Sequence, residues 1–70
     1  MTVYERREKT LNMLKEKNIT IDGIEMNEFL SKIYGSDLIR LYDMLENNKS
    51  NKEICMMINT INYESFVGWN

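Results

Sequence analysis

The side chains that could do chemistry are few and scattered. Histidine is absent, which removes the residue that most often serves as a general base near neutral pH. Carboxylates are plentiful, and a buried pair could share acid–base work. Asp37, Asp43, Glu46 and Glu53, however, fall on the polar sides of the helices that the apolar spacing predicts, where solvated charge is expected. Cys55 could act as a nucleophile only beside a base. Its place on an apolar helical run suits a small packing residue better. Gly23, Gly35 and Gly68 stand alone, so no glycine-rich phosphate loop is present. No catalytic residue, cofactor site or metal site is expected, and the chain reads as non-enzymatic.

Contact chemistry is better represented. Tyr63, Phe66, Val67 and Trp69 cluster within seven positions, and aromatic side chains supply large contact area at low entropic cost. Tyr63, Phe66, Trp69 and the nearby Met56 are the candidate partner-binding residues. Phe66 and Trp69 folding back to close the chain's own small core is the alternative. A basic face formed by Arg6, Arg7 and Lys15 could meet nucleic acid or an acidic protein, or be solvated.

The elements that must position these residues are helices. Thr2-Val3-Tyr4-Glu5 has the form of a capping box. Behind it Val3, Tyr4, Leu11 and Leu14 share one face of a helix over 3–17, interrupted at Arg7 and Glu8. Asn18 tolerates the left-handed turn that ends many helices. Ile19-Thr20-Ile21-Asp22-Gly23 alternates and ends on a turn signal. With no second strand to pair with, it reads as an extended connector whose isoleucines pack inward.

Met26, Phe29, Leu30, Ile33 and Tyr34 predict a helix over 25–34, which Gly35 is placed to stop. Ser36 can cap a helix over 37–47, with Leu38, Leu41, Tyr42 and Leu45 inward and Ile39 and Met44 widening that face. Ser50-Asn51-Lys52-Glu53 is a second capping box. It opens a run over 51–60 with Ile54, Met57, Ile58 and Ile61 inside. Then comes either a turn near Thr60–Asn62 with a terminal helix over 63–69, or one continuous helix. The expected fold is a single all-α domain over residues 1–70, a bundle of four to five short helices.

The stretch from Leu38 to Trp69 resembles the LuxR-type helix-turn-helix domain. Ser50-Asn51-Lys52-Glu53-Ile54-Cys55 matches the segment that opens the first helix of that motif, with Cys55 in the small-residue position. Ile58 stands where the family packs Leu. The resemblance implies DNA binding, with Arg6, Arg7, Lys49, Lys52 and Ser65 as candidate nucleic-acid contacts. This chain departs from the pattern at the turn, where Asn59-Thr60-Ile61-Asn62 is one residue too long. The segment that would enter the major groove, Tyr63 to Trp69, carries Glu64 and no Arg or Lys, although DNA affinity draws heavily on phosphate neutralisation.

Composition sets the remaining bounds. Seventy residues with 43% hydrophobic content make one globular domain. Such a core supplies about 3–5 kcal/mol of net stability unless something staples it. With one cysteine and no histidine, neither an intrachain disulfide nor a zinc site is expected to help. A homodimer or a completing partner is one way to make up the difference. Residues 1–18 carry a net +2 and residues 19–70 a net −4, accounting for the overall −2. That balance favours a basic protein surface over nucleic acid as partner.

The N-terminus lacks a signal-peptide pattern and no apolar run approaches a membrane span. A cytoplasmic location without membrane contact is therefore expected. Nine asparagines and no proline hint at an AT-rich genome, a bacterium or its phage. The expected function is that of a small protein-binding regulator or inhibitor that covers a site on a larger protein.

Overall fold

The computed structural model describes residues 1–33 and 35–64. It is an all-helical bundle of four elements: α1 (Val3–Glu16), α2 (Met26–Lys32), α3 (Ser36–Glu46) and α4 (Asn51–Asn62). α1 packs against α2 and α3, and α3 packs against α4. The core between them is Leu14, Ile19, Phe29, Leu30, Ile33, Leu38, Leu41, Leu45, Ile54, Ile58 and Ile61. The Cα radius of gyration is 11.2 Å, against about 11 Å for a compact chain of this length.

Both expected N-caps form, each through the hydroxyl half of the capping box. The Thr2 hydroxyl accepts the Glu5 amide at 3.1 Å and donates to the Glu5 carboxylate at 3.4 Å. The Ser50 hydroxyl accepts the Glu53 amide at 3.2 Å. Each satisfies an amide that the first helical turn leaves without a partner. α1 and α3 also end alike. Asn18 and Asn48 take φ of 56° and 55°, and paired bonds close each end, Ile19 N–H to Leu14 C=O and Lys49 N–H to Met44 C=O among them. These are Schellman closures, with asparagine in the left-handed position usually held by glycine.

The inward face of α1 differs from expectation. Val3 and Tyr4 are exposed, Tyr4 at 82%, whereas Thr10 and Leu14 are fully buried. Arg6 and Arg7, the latter at the interruption in the apolar stripe, are half-buried. Thr10 is tolerated inside because its hydroxyl donates to the Arg6 carbonyl at 2.6 Å, so no donor is left unpaired.

The connector after α1 behaves as read. Ile19 is buried, and Ile21 and Ile24 bridge across a tight turn with Gly23 at φ 85°. This single bridge forms no strand among the described residues. α2 is shorter than the expected 25–34. Glu25 stands outside it as the cap, its carboxylate accepting the amides of Asn27 and Glu28. Ile33 is already extended, at ψ 151°.

Gly35 opens α3 rather than stopping α2, and Ser36 is the first helical residue rather than its cap. Gly35 takes φ 62° and ψ −137°, a region that a Cβ disfavours. In α3, Leu38, Leu41 and Leu45 are buried as expected, but Ile39 lies outward at 44% exposure.

α4 runs unbroken through Thr60-Ile61-Asn62, where a turn was one of two expectations. Asn and Thr each cost only about 0.5 kcal/mol relative to Ala in a helix. Burying Ile61 in line with Ile54 and Ile58 outweighs that. Thr60 also donates its hydroxyl back to the Met56 carbonyl at 2.9 Å. The expected terminal helix over 63–69 falls largely outside the described residues.

Candidate interaction surface

The outer face of α4 carries the site. At about 100° per residue, positions seven apart lie within about 20° of each other on a helix, which aligns Met56 with Tyr63. Ile54, Ile58 and Ile61 occupy the opposite side and are buried. Their burial anchors the helix and turns Met56 and Tyr63 outward, at 60% and 64% exposure. Lys52, Asn59 and Thr60 are exposed on the same face. A shallow depression beside it is lined by Asn59, Thr60, Asn62, Tyr63 and Glu64. The arrangement is two large flexible or aromatic side chains separated by short polar ones on a rigid support. Its chemistry is that of packing and hydrogen bonding.

The remaining candidate residues are distributed differently. Phe66, Trp69 and Ser65 lie outside the described residues. Lys49 and Lys52 are exposed at the start of α4. Arg6 and Arg7, expected on a basic outer face, are drawn into the fold. The Arg6 guanidinium sits 5.6 Å above the Tyr42 ring centre, and Arg7 Nη2 donates to the Ile33 carbonyl at 3.0 Å. The Nε of each is buried without a hydrogen-bond partner. The available signal was the polar break in the α1 stripe. A long side chain there can pack its stem inward and use its head on a neighbour.

The titratable groups of interest are structural in their contacts. Glu46 accepts the Tyr42 hydroxyl at 2.7 Å. That bond, with some burial, raises the Tyr42 phenol above its ordinary range. The Lys32 ammonium, 2.9 Å from the Glu28 carboxylate, hydrogen-bonds it and holds it below the usual glutamate range. Asp43 and Glu53 are exposed, Asp37 is half-buried, and Cys55 is a half-buried free thiol. Among the described residues no group of three or more Cys, Asp or Glu side chains is placed to hold a metal ion. No helix among them is long and apolar enough to cross a membrane.

No protein-family model, no curated protein and no solved structure matches the chain. The functional argument therefore rests on the surface itself.

Proposed function

We propose that the chain is a small non-enzymatic regulator or inhibitor that binds a larger protein and covers a site on it through the outer face of α4. The observation that carries this reading is the exposure of Met56 on the outer face of α4 and of Tyr63, the residue that caps its end, while the opposite side of the helix is buried in the core. Exposed apolar and aromatic groups on one face are what interface anchors require. Phe66 and Trp69 extend the same contact in this proposal. A cytoplasmic setting, in a bacterium or a phage-infected cell, accords with the lone unpaired cysteine and the asparagine-rich, proline-free composition.

The rival is a helix-turn-helix regulator of transcription, as the resemblance at Ser50–Cys55 implies. Its basic candidates are reduced by the inward engagement of Arg6 and Arg7. The experiment is a pull-down from host lysate with mass spectrometry, repeated with Met56→Ala/Tyr63→Ala. One or more specific partners should be captured by the native chain and lost, by a factor of about 30 or more in affinity, with the double variant. Retention of every partner by a folded double variant would overturn the reading. So would tight association with random duplex DNA that weakens steeply as salt rises.

A further inference from the structure

We propose that α2 is a hinged flap latched by Arg7, which opens as a unit while α1, α3 and α4 stay folded. A helix of seven residues has little stability of its own, since isolated helices below about 12–15 residues are marginal in water. α2 therefore depends on its anchors. Phe29, Leu30 and Ile33 are buried beneath it, and Glu25 caps its start. At its other end the chain is already extended at Ile33, ψ 151°, and the Arg7 guanidinium reaches across 26 positions of sequence to the Ile33 carbonyl. A cation there is also favoured by the helix dipole.

The segment is bounded by pivots, with Asn18 at φ 56° on one side and Gly35 at φ 62° on the other. Without it, α1 still packs on α3 and α3 on α4, around Leu14, Leu38, Leu41, Leu45, Ile54 and Ile58. The latch is imperfect, because Arg7 Nε is buried with no partner in the closed form, a cost that opening relieves. Opening uncovers Phe29, Leu30 and Ile33 together with the α1 surface beneath them. The molecule thus holds a second apolar surface, distinct from the α4 face, that the closed form conceals.

Amide hydrogen exchange followed by NMR tests this on the full chain. The Phe29 and Ile33 amides, bonded to the Glu25 and Phe29 carbonyls, should exchange at least about tenfold faster than those of Ile58 and Ile61. Arg7→Met keeps an apolar stem and removes the guanidinium. It should speed the α2 amides by roughly another tenfold and leave the α4 amides within about twofold. Ile58→Val provides the converse, speeding the α4 amides while Phe29 and Ile33 keep their rates, and it serves alone should Arg7→Met fail to fold. A common rate for all four amides in the native chain overturns the flap. Equal acceleration of all four by either variant does the same.

Discussion

Single side chains decide how the helices begin and end. The Ser50 hydroxyl accepts an amide of the opening turn of α4, so Ser50→Ala should cost about 1 kcal/mol in urea unfolding. A shift within error would mean that water replaces the hydroxyl at no cost. The two perturbed groups make opposite contributions with pH. Tyr42 has a raised folded-state pKa, so its contribution is complete below the unfolded phenol value and is lost as pH rises through the folded one. Glu28 is lowered, so its contribution is present above the unfolded carboxylate value and is lost as pH falls through the folded one. Both groups lie at the surface, which keeps the effects small. NMR titration should place the Tyr42 transition above that of Tyr42 in the Glu46→Gln variant. Coincident transitions would remove the Glu46 bond as the cause. The caps of α1 and α4 were legible in the sequence because each is a local pattern of four residues, whereas Glu25 and Gly35, which open α2 and α3, follow no such pattern. The fate of Arg7 was not legible either, since its partner lies 26 positions away and nothing local names it.

At the scale of elements, apolar period was a good guide in α3 and α4, where the stripe is dense, and a poorer one in α1, where polar residues interrupt it, and in the short α2. The inner lines Leu38–Leu41–Leu45 and Ile54–Ile58–Ile61 are buried as the spacing requires. α2 lost its last expected turn because Ile33 is buried as extended chain, which satisfies the same hydrophobic demand without helical geometry. The candidate contact pair Met56 and Tyr63 was legible as residue types. Their alignment depended on whether α4 continues past Thr60, which weak propensities at Asn59, Thr60 and Asn62 left open. Continuity predicts that Asn59→Ala, at an exposed interior position of α4, raises stability by about 0.5 kcal/mol. Thermal unfolding that shows no gain, or a loss, would argue against a helix through this segment.

The whole molecule is a small core with no covalent staple among its described residues. A net stability of about 3–5 kcal/mol stands against about 2–5 kcal/mol for emptying a central leucine site. Leu41 is fully buried, so Leu41→Ala should leave much of the chain unfolded at 25 °C, read as lost helical signal in circular dichroism. Full helicity in that variant would mean that association or unusually tight packing supplies more stability than size alone allows.

The matched endings of α1 and α3 carry one more implication. A left-handed asparagine holds its backbone against a Cβ penalty that glycine avoids, and Asn48 at least uses its side chain, accepting from Lys17 at 3.5 Å. Asn18 has no such bond among those described, so Asn18→Gly should raise the melting temperature by about 2–4 °C. A chain that leaves so simple a gain untaken has been selected for adequacy at its working temperature, and thermal hardening by design has an obvious first step.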